Sequence, residues 1–169
     1  PTVVRANDGH FYLYATQTST YWMPIYRSKD LVNWEYQKTA FTQATKPSLS
    51  GGGAFWAPEM QYINGKYVLY FSWAKMNGAD VSYTAVAVSD SPLGPFPNSK
   101  ALITNEEFGS NAIDQFYYEE NGKKYMFFGS FKGIYVTELT DDGLSVKRDA
   151  KGKPVLKKQI CGNLFEGTN

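Results

Sequence analysis

Three turn sequences decide the fold: Asn7-Asp8-Gly9-His10, Ile63-Asn64-Gly65-Lys66 and Glu120-Asn121-Gly122-Lys123. Each is followed by a run of aromatic and aliphatic residues, namely Phe11-Tyr12-Leu13-Tyr14, Tyr67-Val68-Leu69-Tyr70-Phe71 and Tyr125-Met126-Phe127-Phe128. Asn-Gly and Asp-Gly between such runs are typical of β-hairpins. The three turn glycines lie 56 and 57 residues apart. A period of this length with strand and turn chemistry indicates the blades of a β-propeller or a similar array.

Each copy is predicted to form a small antiparallel sheet, and no helix of normal length is predicted, because no apolar spacing of three and four residues is sustained. The predicted strands are residues 2–5, 11–16 and 23–28; residues 61–63, 67–73 and 84–89; and residues 116–119, 124–130, 133–138 and 146–148. The polar stretches 42–53 and 99–110 are predicted to be loops, which either wall a pocket or merely connect sheets.

Two acidic residues fall in the same register of this repeat. The first strand of a copy should start about eight residues before its turn glycine, which gives Ala57 and Asp114. The position in the first copy falls just before Pro1, and a fourth start, 52 residues after Asp114, falls at Glu166. Starts of innermost propeller strands surround one mouth of the channel. We therefore expect Asp114 and Glu166 to share a pocket, as glycoside cleavage requires, although a single acid at a strand end often only bonds backbone groups.

Four aromatic residues are candidates for contact with substrate, since aromatic faces suit sugar rings. Trp56 lies beside the predicted strand start, where stacking on a sugar and packing in the core are nearly equal alternatives. Phe55 is a weaker candidate, and Trp73 and Phe131, at the ends of later strands, are less constrained. Glu59 is either a hydrogen-bond partner of the site or simply a polar strand residue.

Composition excludes several classes of function. The 17 basic and 16 acidic residues are interspersed and leave a net charge of +1, so neither nucleic-acid binding nor a membrane partner is predicted. No apolar run approaches the length of a membrane span. Cys161 is the only cysteine, which excludes an intrachain disulfide and a cysteine metal cluster. Cys161 is predicted to be a small buried hydrophobic residue, and no metal ligands are predicted.

Several further motifs occur in a fixed order along the chain: Pro1-Thr2-Val3-Val4, Ser28-Lys29-Asp30-Leu31-Val32-Asn33-Trp34, Phe55-Trp56-Ala57-Pro58-Glu59, Ser91-Pro92-Leu93-Gly94-Pro95-Phe96, Ala112-Ile113-Asp114, Phe128-Gly129-Ser130-Phe131 and Phe165-Glu166-Gly167. This ordered combination resembles glycoside hydrolase family 43, the five-bladed β-propellers that include arabinanases, α-L-arabinofuranosidases and β-xylosidases.

The resemblance implies a single incomplete all-β propeller domain with three blades and the start of a fourth, out of five. The blades would cover residues 1–50, 51–108 and 109–162, with the fourth starting at 163–169. It also implies that Asp114 modulates the pKa of the general acid Glu166. The family's catalytic base is an aspartate directly before a proline such as Pro1, and this sequence does not contain it. A proline usually follows the modulating aspartate, but here Gln115 does.

The predicted function is therefore inverting hydrolysis of arabinose- or xylose-containing plant polysaccharides or oligosaccharides. This chain would be a part of such an enzyme, and without the catalytic base it should be inactive. The expected partners are an arabinan- or xylan-type saccharide and the remainder of the propeller. No cofactor is required by this part, while a structural metal in the missing blades is possible, and the resemblance implies a secreted or periplasmic location. The alternatives are a non-catalytic carbohydrate-binding propeller and, third, a propeller that only binds other proteins.

Overall fold

The computed structural model describes residues 1–49, 53–75, 81–109, 111–130 and 132–162. Its strands form three four-stranded sheets in which neighbours pair in chain order, and all pairs are antiparallel. The first sheet contains β1 (Thr2–Arg5), β2 (Phe11–Tyr14), β3 (Pro24–Ser28) and β4 (Glu35–Thr39). The second contains β5 (Ala54–Ile63), β6 (Lys66–Ala74), β7 (Ser82–Ser89) and β8 (Lys100–Thr104), followed by the one-turn helix α1 (Asn105–Phe108). The third contains β9 (Phe116–Glu120), β10 (Lys123–Ser130), β11 (Gly133–Leu139) and β12 (Lys157–Cys161).

The repeated Asn-Gly turns join the first two strands of the second and third sheets. Asn64 and Gly65 have φ values of 50° and 80°, and Asn121 and Gly122 have φ values of 51° and 74°. Positive φ at both central residues is the type I′ geometry, which matches the right-handed twist of paired strands. The predicted hairpins are therefore confirmed.

The first hairpin has a longer turn than the other two, so the three copies are aligned on the residue pair that closes each turn. The Ala6 N–H donates to the His10 carbonyl oxygen, whereas Ile63 pairs with Lys66 and Glu120 with Lys123. Ala57 lies six residues before Ile63, and the same count from Glu120 reaches Asp114. Counted from Ala6, the equivalent position of the first sheet lies directly before Pro1, as the sequence predicts.

The sheets pack face to face like consecutive blades of a β-propeller. Their first strands are neighbours, since β1 contacts β5 and β5 contacts β9. One apolar core joins the first and second sheets through rings such as Tyr14, Phe41 and Phe71. Another joins the second and third sheets and includes Phe108 and Phe128. The predicted all-β fold of propeller blades is confirmed, while the exact boundaries between blades stay a prediction.

The outer strands are where the sequence prediction was wrong. Residues 146–148 form only isolated bridges, and the fourth strand of the third sheet is β12. Stretch 99–110, predicted to be a loop, contains β8 and α1. Cys161 is exposed rather than buried, because it ends an outermost strand whose five residues all face solvent. Within the described part of the chain, no helix is long and apolar enough to cross a membrane.

Candidate active site

Equivalent residues of the second and third sheets, one inside β5 rather than at its predicted start and one just before β9, share an unusual backbone conformation. Ala57 has φ 42° and Asp114 has φ 55°, both in the left-handed region that residues with a Cβ atom seldom adopt. In β5 this residue lies within a bulge, because the register with β6 shifts between Trp56 and Glu59. Asp114 lies two residues before β9 begins. The equivalence of the two positions is therefore visible in backbone geometry as well as in sequence spacing.

Each of these two residues is held by a hydroxyl group of the preceding sheet. The Ala57 N–H donates to Thr16 Oγ1 at 3.2 Å, and the Asp114 N–H donates to Ser72 Oγ at 2.9 Å. Thr16 and Ser72 are themselves equivalent, since each lies seven residues after its turn glycine. The same support thus fixes the backbone at both strand starts and leaves the side chains there free for other contacts.

Asp114 lines a cavity of about 220 Å³ together with Trp56, Ser72, Ala74, Lys75 and Ile113. The side chain is exposed on the cavity side, and burial on its protein side raises the pKa of its carboxyl group. None of the described residues donates a hydrogen bond to this carboxylate. A carboxylate with a fixed backbone and free oxygen atoms can interact with a ligand or with another acid.

Trp56 connects this cavity with a larger one. The second cavity, of about 670 Å³, is lined by Gln17, Thr18, Ser19, Gly53 and Ala54, and it shares Trp56 and Lys75 with the first. The indole Nε1 of Trp56 donates to the Ala74 carbonyl oxygen at 2.9 Å, which orients the ring. The two cavities therefore form one depression around a fixed aromatic side chain.

Phe55 and Trp73 are packing residues, in contrast to the prediction that they contact substrate. Phe55 is 2% exposed and Trp73 is 7% exposed. The Phe55 ring stacks on Phe41 at 4.8 Å between ring centroids and meets Trp73 edge-on at 4.9 Å. Successive strand residues point to opposite faces, so Phe55 faces the core of the first and second sheets while Trp56 reaches the cavity. Phe131 and Glu166 lie outside the described residues.

Sequence reasoning missed the polar lining of the depression. Gln17, Thr18, Ser19 and Lys75 belong to connections between strands, where no periodic pattern marks a functional side chain. Ser72 could have been found, because it occupies the same position after its turn glycine as Thr16 does. Glu59 has a raised pKa because it is partly buried, and it accepts a hydrogen bond from Gln61 rather than lining either cavity.

A third cavity, of about 390 Å³, lies at the outer part of the first sheet and includes Asp30 and Trp34. Asp30 accepts hydrogen bonds from the N–H groups of Val32 and Asn33 at 2.9 and 2.8 Å and from the Asn33 side chain at 2.8 Å. These bonds hold the pKa of Asp30 well below its usual range. Trp34 Nε1 donates to the Leu31 carbonyl oxygen at 3.1 Å. Both side chains thus stabilise the turn that leads into β4.

The described residues contain no group of three or more His, Cys, Asp or Glu side chains that could hold a metal ion.

Known proteins resemble this chain in sequence and in structure. The extracellular endo-α-(1→5)-L-arabinanase 1 of Bacillus subtilis (strain 168) is 30% identical over 149 residues, which are 82% of this chain and 45% of that protein. The extracellular exo-α-(1→5)-L-arabinofuranosidase ArbA of Cellvibrio japonicus (strain Ueda107) is 32% identical over 155 residues, 84% of this chain and 43% of that protein. The structure of an α-L-arabinanase from Cellvibrio cellulosa complexed with arabinohexaose has a TM-score of 0.67 at 29% identity, covering 85% of this chain and 48% of that one.

The chain thus spans less than half the length of these curated relatives. The model of glycosyl hydrolases family 43 matches residues 1–168, which confirms the resemblance seen in the ordered motifs. Because that match extends over nearly the whole sequence, this chain belongs to glycosyl hydrolases family 43.

Proposed function

We propose that this chain carries part of the active site of an inverting glycoside hydrolase that acts on arabinose- or xylose-containing plant polysaccharides or oligosaccharides. One observation carries the proposal: Asp114 has a fixed backbone and a carboxylate to which none of the described residues donates a hydrogen bond, and it faces a cavity beside an oriented tryptophan. Family membership supplies the reaction class.

Inversion needs a protonated carboxyl group that donates to the leaving oxygen and an ionised one that activates water, about 6.5–9.5 Å apart. In the proposal Glu166 is the acid, and Asp114 orients it and keeps it protonated, because a nearby negative charge raises the pKa of a carboxyl group. The base would be an aspartate at the position before Pro1, which is equivalent to Asp114 in the repeat. Three strand starts would thus contribute the three acids.

Trp56 is the proposed sugar-stacking residue. Its ring is oriented by the bond to Ala74 and lies between the two cavities, so a saccharide could contact the ring while it extends from Asp114 towards Thr18 and Ser19. The hydroxyl and amide groups of the larger cavity can bond sugar hydroxyl groups. Lys75, which lines both cavities, adds a further donor.

Arabinan is the substrate that the relatives favour. An arabinanase and an arabinofuranosidase are among them, and a related structure contains arabinohexaose. Both curated relatives are named extracellular, which supports an extracellular location for the protein that contains this chain.

The test uses the full-length protein that contains this chain, assayed for reducing-sugar release from arabinan and xylan. We expect Glu166→Gln to lower turnover of these substrates by about 10²- to 10⁴-fold, the usual contribution of general acid catalysis. An aryl arabinoside with a good leaving group should be affected much less, because it needs little protonation. Unchanged turnover of arabinan by the variant would contradict the assignment. A wild-type protein that binds arabinan without cleaving it would instead support the carbohydrate-binding alternative.

A further inference from the structure

The two equivalent strand starts differ in the residue that follows them. Pro58 follows Ala57, whereas Gln115 follows Asp114. A proline ring fixes its own φ angle and favours extended conformations in the residue before it, so it does not by itself explain the left-handed φ of Ala57. Glutamine imposes no such constraint at residue 115, and Asp114 has a similar left-handed φ. The backbone at Asp114 therefore depends on contacts with other residues.

The Gln115 side chain supplies such contacts through both ends of its amide group. Gln115 is 6% exposed, and its Oε1 accepts a hydrogen bond from Ser72 Oγ at 3.0 Å. Its Nε2 donates to the carbonyl oxygen of Ala57. The opposite amide orientation would place two oxygen atoms against each other at Ala57, so the carbonyl group fixes which end of the amide faces Ser72.

Ser72 connects Gln115 with Asp114, because its hydroxyl group is hydrogen-bonded to both residues. The Ser72 hydroxyl group is fully buried, and it accepts from the Asp114 N–H at 2.9 Å while it donates to Gln115. Both roles of the hydroxyl are therefore used. Because Ala57 is in turn bonded to Thr16, one chain of hydrogen bonds links residues from all three copies of the repeat and ends at the Asp114 backbone.

We propose that Gln115 is a positioning residue, which sets the location of the Asp114 carboxylate through Ser72. This inference rests on the proposed function of Asp114. Removing the amide leaves a buried carbonyl oxygen and a buried hydroxyl group without partners, and such groups are costly to leave unpaired. The Asp114 backbone then loses the support that keeps its left-handed conformation, and the carboxylate moves away from the acid that it modulates.

The test compares Gln115→Met with the wild type in the full-length protein. Methionine has nearly the same length but no hydrogen-bonding amide. We expect kcat on an arabino-oligosaccharide to fall by about 10- to 100-fold, as displacement of a catalytic group by about 1 Å can do, with KM changed less than twofold. The alkaline limb of the pH profile of kcat/KM should move to lower pH, because the general acid loses part of the repulsion that keeps it protonated. Lys75, the other charged group lining this cavity, is the same in both proteins.

Two further variants separate positioning from loss of fold. Gln115→Pro supplies a ring but, like Gln115→Met, leaves the Ala57 carbonyl oxygen and the Ser72 hydroxyl group without the amide, so it should recover only part of kcat relative to Gln115→Met. Gln61→Met makes the same chemical change on β5, where the amide bonds Glu59, and it should leave the limb in place. If Gln115→Met does not fold, Ser72→Ala interrupts the same chain of hydrogen bonds at its next member. It should shift the alkaline limb of the pH profile in the same direction.

The inference is overturned if both Gln115→Met and Ser72→Ala lower only the melting temperature and leave the alkaline limb where it is. Should the wild-type protein prove to have no turnover, the proposed function fails, but the inference can still be tested. A carboxyl ¹³C NMR titration then measures the pKa of Asp114 directly. A lower pKa in Gln115→Met than in the wild type would support positioning, and an equal pKa would overturn it.

Discussion

Two cavities of this protein each combine an aspartate with a tryptophan, and they differ in what the aspartate is bonded to. The cavity of Asp30 and Trp34 is larger, about 390 Å³ against about 220 Å³ for that of Asp114 and Trp56. In the first, the Asp30 carboxylate accepts bonds from Val32 and Asn33. In the second, the Asp114 backbone N–H donates to Ser72, and none of the described residues donates to its carboxylate.

The comparison teaches that the partners of an acid indicate its role better than the size of its cavity does. Local donors lower the pKa of Asp30, and burial raises the pKa of Asp114. The first carboxylate stabilises a turn, and its oxygen atoms are already occupied. The second can interact with another group, as an acid that takes part in chemistry must.

The two aspartates should differ most in how their replacement changes kcat. In the full-length protein, Asp114→Asn should lower kcat on arabinan by about 10²-fold or more, because the acid is no longer kept protonated and oriented. The matched variant Asp30→Asn changes the same atoms in the other cavity and should leave kcat within about twofold. Steady-state reducing-sugar assays measure both, and equal losses would contradict the distinction.

A smaller effect is expected for the two tryptophans. Trp56→Ala should raise KM for an arabino-oligosaccharide about tenfold, since an aromatic residue at the centre of a binding site commonly contributes more than 1 kcal/mol. Trp34→Ala should leave KM unchanged while it lowers the melting temperature, because its bond to Leu31 stabilises a turn. Isothermal titration with an inactive Glu166→Gln background measures the affinity directly. A larger affinity loss in Trp34→Ala would reverse our assignment.

The smallest expected effect is on stability, and its sign differs between the two acids. Burial raises the folded-state pKa of Asp114, so the stability linked to its proton is present below the unfolded pKa of about 3.9 and is lost as pH rises through the folded pKa. Donors lower the folded-state pKa of Asp30, so its contribution is present above about pH 3.9 and is lost as pH falls through the folded pKa.

Asp114→Asn should therefore have a slightly higher melting temperature than the wild type at pH 7, and the difference should disappear in acid. Asp30→Asn should have a lower melting temperature at pH 7, and its deficit should shrink as the pH falls. Scanning calorimetry between pH 3 and 7 measures both differences. Shifts of the same sign at neutral pH would show that the two carboxylates do not differ in the way proposed.

The inner strands could be predicted from sequence because turn and strand signals coincide there. Asn64-Gly65 and Asn121-Gly122 favour a type I′ turn, and the aromatic runs after them favour strands. Together these signals predict how the first two strands of each sheet pair, and the position of Asp114 follows from that pairing. The outer strands carry weaker signals. Residues 157–161 read Lys-Lys-Gln-Ile-Cys and face solvent throughout, so neither alternation nor apolar content marks them as β12.

The candidate site was only partly predictable for a related reason. Spacing from the turn glycines located Asp114 and Trp56, but it could not decide which of Phe55 and Trp56 faces the core. That choice depends on Phe41, which stacks on Phe55 and comes from a different sheet. The Ser72 and Gln115 contacts likewise join residues 43 positions apart, and no local pattern records such a pair.

The supports at the strand starts also bear on how a repeated protein can diversify. Thr16 and Ser72 hold the following sheet by its backbone, so the side chain at the supported position is not part of its own anchor. After duplication of an ancestral blade, that position could change from alanine to aspartate without the loss of a structural bond. Gly129 occupies the equivalent place in the third sheet, where a Cβ atom would overlap the Gly133 carbonyl oxygen. The described sheets therefore contain two copies of the hydroxyl support, and at the third equivalent place glycine is the only residue that fits.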